Sequence, residues 1–170
     1  QILVNTEGVD VNQTWDGATP LFMASQNGHA RVVQILVNTE GVDVNQGPDY
    51  GITPLFIASQ EGHTEVVEIL VNTEGVNANP VQDDGATPLF QASQEGHAEV
   101  VQTLLDAGAN PLPKRKYDIF LTKSPLSVAK HSKPLFRNGN PDKWDRYTKI
   151  IKALEQAIYR PNDTYCINPA

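Results

Sequence analysis

The sequence predicts an all-α solenoid in which short helix-turn-helix units stack side by side. Two observations carry this prediction. The letters Thr-Pro-Leu-Phe occur three times at intervals of 34 residues, beginning at Thr19, Thr53 and Thr87. A Gly-His pair follows nine residues after each of these threonines. A fixed period of this length is typical of repeat proteins, in which each unit relies on its neighbours to bury its apolar face.

The first half of each repeat predicts a tight turn followed by a short helix. In the first copy, Asp16-Gly17 supplies the turn, because glycine accepts a positive φ. Thr19 is expected to cap the helix with its hydroxyl. Pro20 suits the first helical position, where no N–H is needed. We expect Gly28 to end this helix.

The second half of each repeat predicts a second helix with an apolar stripe. In the first copy this helix is expected from Ala30 to about Asn38, and Gly41 is expected to close it. Four apolar residues form its stripe: Val32, Val33, Ile35 and Leu36. The same pattern returns in the following copies, so the helix pairs should share one apolar core.

The motif Thr-Pro-Leu-x-x-Ala, then Gly-His, then Val-Val-x-x-Leu resembles the ankyrin repeat, and the resemblance covers residues 1–112. It implies stacked helix pairs joined by β-turn or hairpin-like loops. Phenylalanine replaces the family's histidine after Thr-Pro-Leu, at Phe22, Phe56 and Phe90. One extra loop residue lengthens the repeat from 33 to 34. We expect neither departure to disturb the fold, since apolar packing replaces one hydrogen bond.

The repeat positions divide the chain into six predicted parts. Residues 1–13 match the second half of a repeat, so we expect the chain to be a fragment of a longer array. The predicted parts are 1–13 (second half of a truncated repeat), 14–46, 47–80 and 81–112 (three ankyrin repeats), 113–158 (a divergent capping repeat with an insertion) and 159–170 (a tail or linker).

The predicted capping repeat retains two pieces of the motif. Ser124-Pro125-Leu126 aligns with Thr87-Pro88-Leu89, and Ile150-Ile151 aligns with Val100-Val101. A helix start at Asn140-Pro141 predicts a last helix from Pro141 to Ile158. Its exposed side is expected to carry four cations: Lys143, Arg146, Lys149 and Lys152.

Charge is divided sharply between the two ends of the chain. The net charge is −7, but residues 1–110 carry −14 and residues 111–170 carry +7. Lys114, Arg115 and Lys116 form a candidate basic patch, of the kind that binds nucleic acid or directs nuclear import. The favoured alternative is a solvated loop that balances the acidic repeats. No apolar run approaches the roughly 18 residues of a membrane span.

No catalytic or metal-binding constellation is predicted, and no cofactor. His29, His63 and His97 recur once per repeat, roughly 10 Å apart, which is too far to share one metal ion. They are therefore expected to be structural, and His131 is expected to be a surface residue. Ser25, Ser59 and Ser93 recur in the same way. The sequence predicts a protein that is not an enzyme.

The resemblance implies that turn tips and exposed first-helix residues form a concave surface for a partner protein, here called the concave ridge. Its predicted residues are Trp15, Asp16, Met23, Gln26, Asn27, Asp49, Tyr50, Ile52, Ile57, Gln60, Glu61, Asp83, Asp84, Gln91, Gln94 and Glu95. Trp15 and Tyr50 resemble binding hot spots, although each could instead lie flat on a neighbouring tip. The acidic residues favour a basic or amphipathic partner and disfavour nucleic acid.

Two alternatives to a free-standing binding module remain from the sequence. The array could be the targeting arm of a larger enzyme or bacterial effector whose catalytic domain lies outside this chain. It could also be a structural spacer. We expect a monomer inside the cell, in the cytoplasm or, for an effector, in the host cytoplasm. The single cysteine, Cys166, agrees with a reducing compartment because it has no partner for an internal disulfide.

Overall fold

The computed structural model describes residues 10–48, 52–82, 85–112, 124–133 and 141–159. These residues form eight helices, and no strand occurs among them apart from one isolated bridge between Trp15 and Ala18. The predicted all-α solenoid is confirmed. The helices are α1 (Pro20–Gln26), α2 (Ala30–Val37), α3 (Pro54–Glu61), α4 (Thr64–Val71), α5 (Pro88–Glu95), α6 (Ala98–Asp106), α7 (Pro125–Ser132) and α8 (Pro141–Ile158).

Each odd-numbered helix begins with the predicted cap. The Thr19 hydroxyl oxygen accepts a 3.1 Å hydrogen bond from the Phe22 amide, and proline occupies the first helical position. Thr53 and Thr87 repeat this arrangement, and the Ser124 hydroxyl does the same at the start of α7. The capped amide and the proline, which has no N–H, account for two of the backbone positions that lack an intrahelical partner in the first turn.

The ends of the first two helices fall close to their predicted positions. Helix α1 ends at Gln26, and Gly28 follows with a φ of +70°. Helix α2 ends at Val37, one residue before the predicted end, and Asn38 is its C-cap. Gly41 has a φ of +82° but lies in the loop beyond the helix, so it does not close α2 itself.

The helices form two layers around one core. Helices α1, α3, α5 and α7 pack in sequence in the first layer, and α2, α4, α6 and α8 pack in the second. Buried leucines and valines from both layers fill the space between them. The rows are Leu21, Leu55 and Leu89 in the first layer, and Val33, Val67, Val101, Leu36, Leu70 and Leu104 in the second. Ile150 and Leu154 extend these rows into α8.

The phenylalanines that replace the family's histidine pack into apolar surroundings, as expected. Phe22, Phe56 and Phe90 are all buried. Phe56 and Phe90 form a second apolar cluster with Ala86, and Ile52 and Val128 pack against it. This cluster lies where the turns meet the first helices, so it joins the loop side of the array to the helical layers.

Asparagine side chains link the loops of neighbouring repeats. The Asn45 side chain donates a 2.7 Å hydrogen bond to the Gly75 carbonyl and accepts a 2.9 Å bond from the Asn77 amide. Asn12 makes the equivalent pair with Gly41 and Asp43 one repeat earlier. Asn79 accepts from the Asn110 amide at 2.7 Å one repeat later. We call Asn12, Asn45 and Asn79 the asparagine ladder.

Candidate protein-binding surface

Trp15 stands at the turn tip of the first repeat and is 87% exposed. Its backbone is nevertheless fixed, because Trp15 and Ala18 exchange two N–H···O bonds of 3.0 Å. Asp16 and Gly17 between them both have positive φ, +52° and +79°, as a tight hairpin turn of the I′ type requires. The indole is therefore held in solvent by an ordered turn.

Helix α1 contributes further exposed residues of the concave ridge. Met23 is 46% exposed, and Gln26 and Asn27 are exposed as well. The Asn27 side chain donates a 2.7 Å bond to the Met23 carbonyl, which anchors it at the end of the helix. Asp16 is exposed beside Trp15. The first repeat thus presents an indole, a thioether and a carboxylate to solvent.

Helix α3 differs from the prediction at one position. Ile57 was expected on the exposed side of the helix, but it is only 7% exposed. The reason is that α3 lies between α1 and α5, whereas α1, which carries Met23 at the equivalent position, packs against only α3 in the described part of its layer. Gln60 is half-buried and Glu61 is exposed. Ile52 is half-buried against the phenylalanine cluster.

Helix α5 places its predicted residues similarly. Gln91 is half-buried, whereas Gln94 and Glu95 are exposed, and the Gln94 side-chain amide lies 3.3 Å from a Glu95 carboxylate oxygen. The other predicted residues lie outside the described residues, and these are Asp49, Tyr50, Asp83 and Asp84 of the concave ridge and Lys114, Arg115 and Lys116 of the basic patch.

The described carboxylates of the concave ridge carry unneutralised charge. Asp16, Glu61 and Glu95 are exposed, and none forms an ion pair with another residue in the described ranges. Because Arg31 is the one basic residue among residues 1–110, few cations are available to screen them. Exposed charges of one sign on a shared surface raise the local concentration of an oppositely charged partner.

The repeated histidines join neighbouring repeats. His63 Nε2 lies 3.0 Å from the Gln26 carbonyl, and His97 Nε2 lies 2.9 Å from the Gln60 carbonyl. A carbonyl oxygen can only accept, so Nε2 carries the proton in each ring. The prediction that these histidines are structural is confirmed for both. His131 is exposed, as predicted, and its Nδ1 lies 3.0 Å from the Ser127 carbonyl of its own helix.

Tyr147 takes the same position in α8, which the sequence reasoning missed. Its hydroxyl donates a 2.6 Å hydrogen bond to the Gln94 carbonyl. A Cβ at Gly96 would lie 3.1 Å from the Tyr147 ring, just as the ring of His97 lies against Gly62. The sequence does contain a signal for this equivalence. Ile150 aligns with Val100 at a separation of fifty residues, and the same separation aligns Tyr147 with His97.

Burial raises the pKa of the Tyr147 phenol above its ordinary value of 10.0. The negative charge of Glu95 acts in the same direction, while a hydrogen bond with Ser132 and the positive charge of Arg146 act against it. The phenol therefore stays protonated, in the form that can donate to the Gln94 carbonyl.

The repeated serines also have structural roles. Ser25, Ser59 and Ser93 are buried, and each hydroxyl donates to the carbonyl four residues earlier in its helix, at 2.7–2.8 Å. Within the described ranges, no group of three or more histidine, cysteine or carboxylate side chains is close enough to hold a metal ion. Among the described helices, none has the length and the apolar character needed to cross a membrane.

The two-layered stack, its repeated caps and its histidine links define a helical repeat protein. Family models agree with this class. A model for the ankyrin repeat matches residues 16–47, and a model for three ankyrin repeats matches residues 33–115. Together they cover more than half of the chain, which belongs to the ankyrin-repeat family. The members of this family are generally protein–protein interaction modules. No curated protein matches the chain.

Proposed function

We propose that this chain is a non-enzymatic binding module that recognises a partner protein through its concave ridge. The observation that carries the proposal is the exposure of Trp15 on an ordered turn. A tryptophan side chain normally stabilises a fold by being buried. The Trp15 indole lies in solvent on an ordered backbone, so it does not stabilise the fold in this way. Tryptophan is also enriched among the residues that dominate binding energy at interfaces.

The other described residues of the concave ridge support a partner of a particular chemistry. Met23 offers a flexible apolar contact, and methionine is common on surfaces that bind protein segments. Asp16, Glu61 and Glu95 add negative charge along the ridge. Electrostatic complementarity raises the association rate of an oppositely charged partner. A basic amphipathic segment, with apolar residues for Trp15 and cations for the carboxylates, therefore suits this ridge.

The test compares capture of proteins from a cell lysate by the wild type and by Trp15→Ala, followed by affinity measurement with each captured protein after purification. Tyr159→Ala is the matched control, because Tyr159 is also an aromatic residue, is 75% exposed and lies beyond the end of α8. All three proteins should melt at the same temperature, since neither side chain contributes to the core.

We expect Trp15→Ala to weaken binding by about 2 kcal/mol, or about thirtyfold, as loss of a hot-spot residue does. Tyr159→Ala should bind a basic partner of the concave ridge as the wild type does. If a purified partner binds wild type and Trp15→Ala equally, the concave ridge near this tip is not its site. Raising the salt concentration should also slow association, and a rate insensitive to salt would contradict the assignment of a basic partner.

A further inference from the structure

The capping helix α8 carries a continuous row of positive charge. Arg146, Lys149 and Lys152 are all exposed and follow one another at intervals of three residues. Residues three apart on a helix are neighbours, with roughly 5–6 Å between their Cβ atoms. We call these three residues the basic row. It lies on the last helix of the second layer, away from the turn tips of the concave ridge.

The charge of the basic row is not neutralised by its own helix. Glu155, the nearest carboxylate beyond the row, turns towards α7 and pairs with Lys130, with 2.8 Å between Nζ and Oε1. Asp142 and Asp145 lie on the same helix four residues before Arg146 and Lys149, but neither forms an ion pair with them. In the described part of the chain, none of the three cations of the row forms an ion pair. Their charges therefore remain open to a partner.

The two ends of the row differ in shape. Arg146 and Lys149 border a groove with the starts of α4 and α6, at Thr64 and Ala98, and Glu99 also lines this groove. At the other end, Tyr159 is 75% exposed just past α8. The row thus connects a concave recess with an exposed aromatic ring. Tyrosine is enriched in protein–protein interfaces, where its ring packs and its hydroxyl stays hydrated.

We propose that the basic row is a second binding surface, which docks an acidic polypeptide segment of a partner. The basic row extends over only about 9 Å of helix, and Lys143 one turn earlier brings the number of cations to four, fewer than the six to ten phosphate contacts of a strongly salt-dependent nucleic-acid binder. The exposed side chains of α8 from Arg146 to Gln156 are all polar, so a bilayer would meet Tyr159 as a single exposed ring and no apolar face of the helix. A short acidic segment with an apolar residue for Tyr159 fits both features.

The experiment uses the full chain and a fluorescein-labelled peptide of about a dozen residues, with glutamates interrupted by two leucines, at about 50 mM salt. The test variant is the triple change Arg146→Gln, Lys149→Gln and Lys152→Gln. Arg31→Gln is the charge control, since Arg31 is exposed on α2 far from α8. Trp15→Ala separates this surface from the concave ridge. Equal melting temperatures establish that each variant is folded.

We expect the triple variant to bind the peptide about tenfold more weakly, as loss of three exposed charge pairs predicts. Tyr159→Ala should weaken binding about threefold, and Arg31→Gln and Trp15→Ala should have no effect. Peptide binding by the triple variant within twofold of wild type would overturn the proposal. Tighter binding to duplex DNA, or to phosphatidylcholine vesicles with about 30% phosphatidylserine, would also overturn it. So would a wild-type dimer in sedimentation that the triple variant dissociates, since a second copy would then be the occupant.

Discussion

The Tyr147 hydroxyl donates a 2.6 Å hydrogen bond to the Gln94 carbonyl, and His97 bonds the Gln60 carbonyl in the same position one repeat earlier. Helix α8 therefore keeps the inter-repeat contact while it carries a tyrosine in place of the histidine. A phenol reaches the same carbonyl as an imidazole and offers the same kind of donor.

Removal of the Tyr147 hydroxyl should destabilise the packing of α8 against the repeat that contains Gln94. We expect Tyr147→Phe to lower the free energy of unfolding by about 1 kcal/mol, because the Gln94 carbonyl loses its donor in a partly buried place. Urea denaturation followed by circular dichroism measures the change. Tyr159→Phe is the control and should change stability by less than about 0.5 kcal/mol, since Tyr159 is exposed. Equal stability of the two variants would show that the hydrogen bond contributes nothing.

The raised pKa of Tyr147 predicts a loss of stability at high pH. The unfolded chain releases the phenolic proton near pH 10, whereas the folded protein retains it to higher pH. The contribution of Tyr147 is therefore complete below pH 10 and falls as the pH rises through the folded-state pKa. Unfolding free energies at pH 8 and near pH 11 should show a smaller decrease for Tyr147→Phe than for wild type. An equal decrease would indicate that other groups cause it.

Close approach of the histidine ring should make Gly62 intolerant of a side chain. Gly62 and Gly108 have nearly the same φ, +79° and +82°, so both substitutions by alanine carry the same backbone cost. A Cβ at Gly62 would collide with the His97 ring, whereas one at Gly108 would meet nothing within 4 Å. Gly62→Ala should therefore cost about 1–3 kcal/mol more than Gly108→Ala in thermal or urea unfolding. Similar costs would mean that the ring moves freely aside.

The asparagine ladder should contribute measurably to stability although Asn12 and Asn45 are only half-buried and Asn79 is exposed. Asn45→Ala removes two hydrogen bonds to the next repeat, so we expect a loss of about 1–2 kcal/mol. Asn72→Ala is the matched control, because the Asn72 side chain bonds only the Glu68 carbonyl of its own helix. That variant should change stability by less than about 0.5 kcal/mol. If both changes cost the same, the ladder adds nothing beyond a local cap.

The sequence predicted most of the fold because its signals are local. Thr53 before Pro54 predicts a capped helix start, and Pro141 and Ile158 were predicted as the ends of the last helix. The start and end of a helix depend on a few neighbouring residues and on the spacing of apolar residues along the chain. The repeated histidines were predicted to be structural because one residue in every repeat meets the same surroundings.

The features that the sequence did not predict depend on neighbouring repeats. Ile57 is buried because α3 packs against a helix on each side. The sequence of a single repeat contains no information about these neighbours. The link from Tyr147 to Gln94 spans 53 residues and joins two different side-chain types at one position. The recurrence of Asn45 and Asn79 is visible in the sequence, but the backbone groups of the next repeat that their side chains reach are not. The exposure of Trp15 and the tight turn at Asp16-Gly17 were both expected, whereas the two backbone hydrogen bonds between Trp15 and Ala18 were not.

Each described link between repeats reaches only an adjacent repeat: His97 contacts the repeat before it, and Asn45 contacts the one after it. The array is therefore modular in steps of 34 residues. An additional copy of residues 47–80, inserted after Pro80, would supply one new histidine equivalent to His63 and one new ladder asparagine equivalent to Asn79. Helix α8 would still pack against α6 and α7. The number of internal repeats can therefore change without altering the contacts of α8, and the surface formed by the turn tips and first helices would lengthen with it.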